Sequence, residues 1–235
     1  MPNELLDLAD WRRRISDLYA SVRAEAEDDP EAAWEVWREE REKLFRAHSQ
    51  SPVPAADRKA FRAHHWPYDP RLRFEATLVD ADAADDEATT ETQIAIDTTA
   101  FAFGAAPIAF AAAPLMALPI STGGEESFTR IGRLVIPFPA GERTLGAYWM
   151  AGYAGGLFVP FKDATNGHET YGAGRYLLDT AKSADLGPGA LPDTLVLDFN
   201  FAFHPSCAFD PKWSCPLAPP ENRLDIRIEA GERLA

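Results

Sequence analysis

The feature that most constrains this chain is a change of apolar period near residue 72. Upstream, Leu8, Trp11, Ile15, Leu18 and Val22 recur at spacings of three and four, the stripe of an amphipathic helix over residues 4 to about 26. The run Ala-Glu-Asp-Asp-Pro at 26–30 breaks it, and Asp28 or Asp29 is placed to cap a second helix with Pro30 in its first turn. Residues 30–47 carry Trp34, Trp37, Leu44 and Phe45 on another stripe. Two such helices predict a hairpin over 4–47 whose tryptophans need a surface to bury against. Residues 48–54 end the hairpin, and residues 55–63 allow one short helical turn.

Downstream the helical period disappears. Segments rich in Val, Ile, Phe, Tyr and Thr alternate with Gly, Pro, Asn and Asp, giving strand candidates at 72–79, 92–97, 130–138, 143–150, 156–163, 168–178, 194–203 and 223–229. Short strands separated by turn residues predict an antiparallel sandwich or barrel. The expected fold class is α+β, mainly β: an N-terminal helical hairpin packed on an antiparallel β-sandwich or barrel. It forms one domain over 1–235, with a β-rich body at 72–230. At 235 residues, 46% of them hydrophobic, the chain can bury a substantial core.

Charge narrows the function classes. There are 23 Lys+Arg against 37 Asp+Glu, a net charge of −14. That balance argues against nucleic acid, whose phosphates need a basic patch, and against an anionic membrane surface. Between Arg73 and Arg130 no Lys or Arg occurs while ten acids do, so this stretch supplies −10 of the −14. Its acidic part, within an insertion at about 80–115, reads as a solvated loop and matches no calcium-loop spacing. Five Lys against eighteen Arg, together with the excess acid, suits a salt-rich, halophile-like host or a GC-rich genome. Residues 98–124 carry no charge, but Pro107, Pro114 and Pro119 would break a spanning helix repeatedly. No secretory signal pattern is visible at the start. The expectation is a soluble, cytoplasmic protein.

No phosphate-loop, dinucleotide, HExxH or GxSxG pattern is present. No cofactor is implied. The densest polar run is residues 161–180. Asn166-Gly167 is the preferred pair for a two-residue hairpin turn, which would set Thr165 opposite His168 and Asp163 opposite Thr170. Alternation then places Asp163, Thr165, His168 and Thr170 on one face, with Ala164, Glu169 and Tyr171 on the other. A carboxylate, an imidazole and two hydroxyls on one face suit acid–base or metal chemistry; they equally suit a solvent-facing turn satisfying its own backbone. In 194–203, Leu195, Leu197, Phe199, Phe201 and Phe203 alternate toward the core, leaving Asp198, Asn200 and His204 opposite. Arg175 is the candidate bidentate partner for Asp198. His204, Cys207 and Cys215 are weak zinc candidates, because Cys-x7-Cys exceeds the usual knuckle spacing; structural thiols or one local disulfide fit as well.

These residues carry a resemblance. Phe161-x-Asp163-x-Thr165-x-Gly167-x-Glu169-Thr170-Tyr171-Gly172-x-Gly174-Arg175-Tyr176-Leu177, Asp198-Phe199-Asn200, Cys207-Ala208-Phe209, Cys215-Pro216-Leu217, Pro219-Pro220-Glu221-Asn222 and Ala230-Gly231-Glu232 resemble the family known as domain of unknown function 1684. The likeness also takes in the helical start and the stretch 64–70. Where that family commonly reads Ala-Tyr-Asn-Pro, this chain has Ala202-Phe203-His204-Pro205. The resemblance implies no activity.

The functional expectation is a polar pocket where the 161–176 hairpin meets the 198–204 strand and the 215–222 loop. Asp163, His168, Glu169, Tyr171, Arg175, Asp198, Asn200, Glu221 and Asn222 are its candidate lining. A small-molecule ligand, with Arg175 clamping an anionic group and Tyr171 covering an apolar body, is the first reading. A metal-assisted or acid–base hydrolase using Asp163 or Glu169 with His168 is the second. A structural protein whose polar motif knits strands together is the third. Oligomeric state is not legible.

Overall fold

The computed structural model describes residues 2–79, 115–150 and 155–235. The expected strand at 92–97, nearly all of the acidic insertion and much of the charge-free run lie outside the described residues. Two helices come first, α1 (Pro2–Glu25) and α2 (Pro30–Ala47). Asp29 caps α2: its carboxylate accepts the Ala32 amide at 3.0 Å, and Pro30 occupies the first turn. Leu18, Val22, Trp34 and Trp37 are buried in one cluster with Ala184 and Phe201 of the β-rich body. The tryptophans are covered there, and their polar edges are satisfied. Trp34 Nε1 donates to the Asn200 carbonyl at 2.9 Å and Trp37 Nε1 to the Tyr19 hydroxyl at 3.0 Å.

The strands are β1 (His64–His65), β2 (Arg73–Val79), β3 (Leu115–Pro119), β4 (Glu125–Ile136), β5 (Arg143–Met150), β6 (Leu157–Phe161), β7 (Arg175–Asp179), β8 (Thr194–Asp198) and β9 (Glu232–Arg233). Seven of them form one antiparallel sheet in the order β7-β6-β5-β4-β2-β8, with β3 also on β4. The remaining two, β1 and β9, make a small antiparallel ribbon. The large sheet curls into a half-barrel around Ala76, Leu134, Leu145, Val159, Phe161, Leu177, Leu197 and Phe199. Just beyond β8, Phe203 exchanges backbone hydrogen bonds of 2.9 and 3.0 Å with Tyr176 of β7, the strand at the other end of the sheet. The expected α+β, mainly β architecture is therefore the one observed. Among the described residues, no helix is long and apolar enough to cross a membrane.

Three local expectations are corrected. The strand at 194–203 stops at Asp198, whose side chain accepts the Asn200 amide and turns the chain into a 3-10 helix (Phe199–Phe201). Phe199 and Phe201 consequently face different clusters, the sheet interior and the helices. Of 168–178, only the end is strand. The segment 223–229 is not a strand: it is hooked along residues 162–164 by Leu224 N–H to the Lys162 carbonyl at 2.8 Å and Ala164 N–H to the Ile226 carbonyl at 3.0 Å. The neighbouring residues that would extend that ladder coil into a turn instead.

Candidate functional site

That turn replaces the expected hairpin. The amides of His168, Glu169 and Thr170 converge on the Thr165 carbonyl at 3.3, 3.0 and 3.2 Å, a helix-like wrap rather than a two-residue reversal. Asn166 drives it: its side-chain oxygen accepts the Asp163 amide, and its Nδ2 donates to the Tyr171 carbonyl at 2.8 Å and Thr170 Oγ1 at 3.0 Å. Gly167 does take positive φ, at 83°. Asp163, Thr165 and Thr170 meet as expected, with Thr165 Oγ1 2.8 Å from Asp163 Oδ1 and 3.0 Å from Thr170 Oγ1. His168 does not join them; it is exposed.

Arg175 pairs with Asp163, not Asp198. Its guanidinium has no solvent exposure. Nη2 lies 3.4 Å from Asp163 Oδ2 and 2.9 Å from the Ile228 carbonyl, while Nη1 donates to the Ala230 and Glu232 carbonyls. The Trp66 ring lies against the guanidinium, 5.4 Å from its centroid. Asp163 Oδ2 also accepts the Ile228 amide at 2.7 Å. Burial pulls Arg175 down to about 10, and Asp163 and Glu232 hold it charged at neutral pH. Both terminal nitrogens are thus engaged by the protein.

Asp198 belongs to a second network. Its Oδ1 accepts the Asn200 amide at 2.9 Å and Nδ2 at 2.8 Å; its Oδ2 faces Tyr68 Oη at 3.2 Å and Arg73 Nη1 at 3.3 Å. Burial raises its pKa against those hydrogen bonds. Asn200 clasps Asp69 through both backbone groups at 2.9 Å. Asn222, in a third place, spans Gly146 and Pro160 of β5 and β6, while the exposed Glu221 accepts the Tyr148 hydroxyl at 2.6 Å. Glu169 sits at the surface with Arg227, 2.8 Å away. The nine candidate lining residues therefore divide among several networks and the surface.

One junction does assemble where three motif segments were expected to meet. Tyr171 donates its amide to His204 Nε2 at 3.2 Å, and His204 donates its own amide to Glu232 Oε2 at 2.8 Å. Cys207 and Cys215 stand beside them as free thiols, 6% and 5% exposed. The Cys207 amide donates to Cys215 Sγ at 3.3 Å. The Cys215 thiol and the Tyr171 hydroxyl lie beside the Cys207 sulfur and act on its titration. Ser121 Oγ also lies beside it, though its one hydrogen is shared with the Trp213 carbonyl at 2.9 Å. Ser121 in turn accepts the Cys215 amide at 3.0 Å.

These contacts split the titration of the pair. Hydrogen bonding from Cys215 lowers Cys207 to about 6 against the opposing effect of burial, whereas Cys215 is pushed up by its bond to the same sulfur. Burial pushes the Tyr171 hydroxyl up to about 12. The pair titrates as a unit, with Cys207 drawn down and Cys215 pushed up. His204 is buried and lowered to about 4, so it is a neutral acceptor. Among the described residues, no group of three or more His, Cys, Asp or Glu is placed to hold a metal ion.

Sequence reading missed the far partners. Arg41 of α2 makes a bidentate contact with Glu232 at 3.0 and 3.1 Å, both buried. Glu232 is held down at about 2: burial raises it, but the Arg41 charge and the facing imidazoles outweigh that. The motif Ala230-Gly231-Glu232 was the available signal. Gly231 has φ of 74°, and a Cβ there would lie 2.5 Å from the Ala202 carbonyl oxygen. Ser121, outside every motif, left no trace.

An uncharacterized protein of Haloarcula marismortui, solved by solution NMR, is similar in fold with a TM-score of 0.56; it is 28% identical, and the match covers 89% of this chain and 97% of the other. None of the curated proteins matches. The profile of the family described as protein of unknown function (DUF1684) matches residues 94–233, and with more than half its length matched the chain belongs to that family.

Proposed function

We propose that this protein acts through a nucleophilic thiol, Cys207, at the junction of the 161–176 turn with the 204–217 loop. The observation that carries the reading is the placement of two buried cysteines against each other, the Cys207 amide 3.3 Å from the Cys215 sulfur, with Tyr171 and His204 joined beside them. A thiolate is the reactive form of cysteine, and donated hydrogen bonds populate it near neutral pH. A small electrophile is the matching ligand class, because the sulfur is nearly covered. This site takes over the small-molecule role expected of the polar pocket. Arg175, Asp163 and Asn222 serve it as framework, since each bonds buried backbone groups. The acidic, lysine-poor composition supports a salt-rich host, and a melting temperature that rises with KCl is the expected sign.

The test is iodoacetamide alkylation of the full chain from pH 5 to 9, read by peptide mass spectrometry. Reaction at Cys207 with a midpoint near 6, moved upward in Tyr171→Phe, is the expected result. A midpoint at the ordinary thiol value, or no reaction at Cys207, overturns it.

A further inference from the structure

We infer that the substrate class of this thiol is a hydroperoxide, and that Cys215 is the partner that converts oxidised Cys207 into a disulfide. The inference rests on the nucleophilic reading of Cys207 and adds an electrophile and a second step. Three observations carry it. First, the Cys207 amide lies 3.3 Å from the Cys215 sulfur, so the two cysteines already abut and a bond between them needs no unfolding of the intervening loop. Second, the covered sulfurs admit a small oxidant in preference to a bulky electrophile. Third, burial raises the Tyr171 hydroxyl and the neighbouring Cys207 raises the Cys215 thiol, so each keeps a proton that the departing oxygen can take.

The chemistry balances. Cys207 thiolate attacks the terminal oxygen of R–O–O–H; the O–O bond breaks, the sulfur is oxidised to sulfenic acid, and the alkoxide or hydroxide leaves with a proton from Tyr171 or Cys215. The Cys215 sulfur then displaces hydroxide from the sulfenic sulfur, giving the Cys207–Cys215 disulfide and, with one proton drawn from solvent, water. A small dithiol reductant, as an external co-reactant, returns both thiols by exchange and is itself oxidised.

Peroxide selection distinguishes this from a general reactive cysteine. The amide of one cysteine already bonded to the sulfur of the other gives a second cysteine, eight positions on, a place in the same motif set.

The experiment treats the reduced full chain with stoichiometric hydrogen peroxide. Expected are the loss of both free thiols, a mass decrease of two hydrogens with an intramolecular Cys207–Cys215 linked peptide, and recovery with dithiothreitol. Cys215→Ser should instead accumulate a sulfenic acid at Cys207 that dimedone traps. The wild-type arm stands without that variant if it fails to fold. Overoxidation of Cys207 without a disulfide, or thiols that persist, overturns the inference. Alkylation of the same preparation separates the two levels: a low-pH midpoint at Cys207 with no disulfide defeats the peroxide step alone, while an ordinary midpoint defeats the nucleophile as well.

Discussion

The Arg41 guanidinium and the Glu232 carboxylate meet across 191 positions of sequence in two buried hydrogen bonds of 3.0 and 3.1 Å. Through this pair the second helix grips the C-terminal ribbon, and Glu232 passes the connection on to the His204 backbone beside the thiols. Arg41 also stacks over Trp37, Phe45 and Phe203, so its stem is packing material as well as a charge carrier.

Breaking that pair from one side leaves a buried charge. Arg41→Met should retain the stacking yet cost about 3–5 kcal/mol, because Glu232 is stranded. Arg41→Met with Glu232→Leu should cost clearly less than the two single substitutions added together. Urea denaturation of the four proteins in a double-mutant cycle measures the coupling.

Arg175→Lys should be far from conservative. A lysine offers one ammonium where the guanidinium now reaches Asp163 and the carbonyls of Ile228, Ala230 and Glu232. We expect a loss of about 2–4 kcal/mol in unfolding free energy. A denaturation midpoint equal to that of the parent would show that the buried fork is dispensable.

Stability should fall on mild acidification. His65 and His204 are both lowered to about 4, chiefly by burial, from an ordinary value of 6.5. Between those values the unfolded chain binds more protons than the folded one, so unfolding free energy rises with pH across this window. Going from pH 7 to pH 5 should cost on the order of 2 kcal/mol per histidine. The urea midpoint at the two pH values checks it, and His65→Phe should flatten the slope.

Asn222 ties two strands. Its Nδ2 donates to the Gly146 and Pro160 carbonyls at 3.0 and 2.7 Å, and its Oδ1 accepts the Gly146 amide at 2.7 Å. Asn222→Ala leaves three buried backbone groups short of a partner and should cost about 2–4 kcal/mol. Asn222→Asp should be no better, since a carboxylate then faces two carbonyl oxygens. Thermal unfolding ranks the three proteins.

The legible parts of the sequence were those with a local period or a local partner. The stripe through Leu18, Val22, Trp34 and Trp37 located the helices and the face they bury, and the Asp29-Pro30 pair located a cap. The segment 143–150 coincides with β5. Asn166-Gly167 misled because the Asn166 side chain, bonding across its own turn, favours a wrap over a reversal. Asp198 ended its strand for a similar reason. Arg175 was visible as a motif residue, but its partners were not, because burial against the carbonyls of 228–232 leaves no pattern along the chain. The thiol junction was half legible: His204, Cys207 and Cys215 stood together as weak zinc candidates and Tyr171 apart from them in the pocket lining, whereas Ser121, more than eighty positions before Cys207, carries no signature.

The contact of Phe203 with Tyr176 has a further consequence. Strand β7 ends the sheet on one side, and its outer rim is taken by Phe203 and, at Asp179, by Ala184. Strand β8 ends it on the other, where Gly187 and Pro188 lie along Val196 and Leu195. A second copy trying to add a strand at either rim meets the chain's own loops in place of bare amides and carbonyls. At these two rims the chain's own loops thus stand against edge-to-edge pairing.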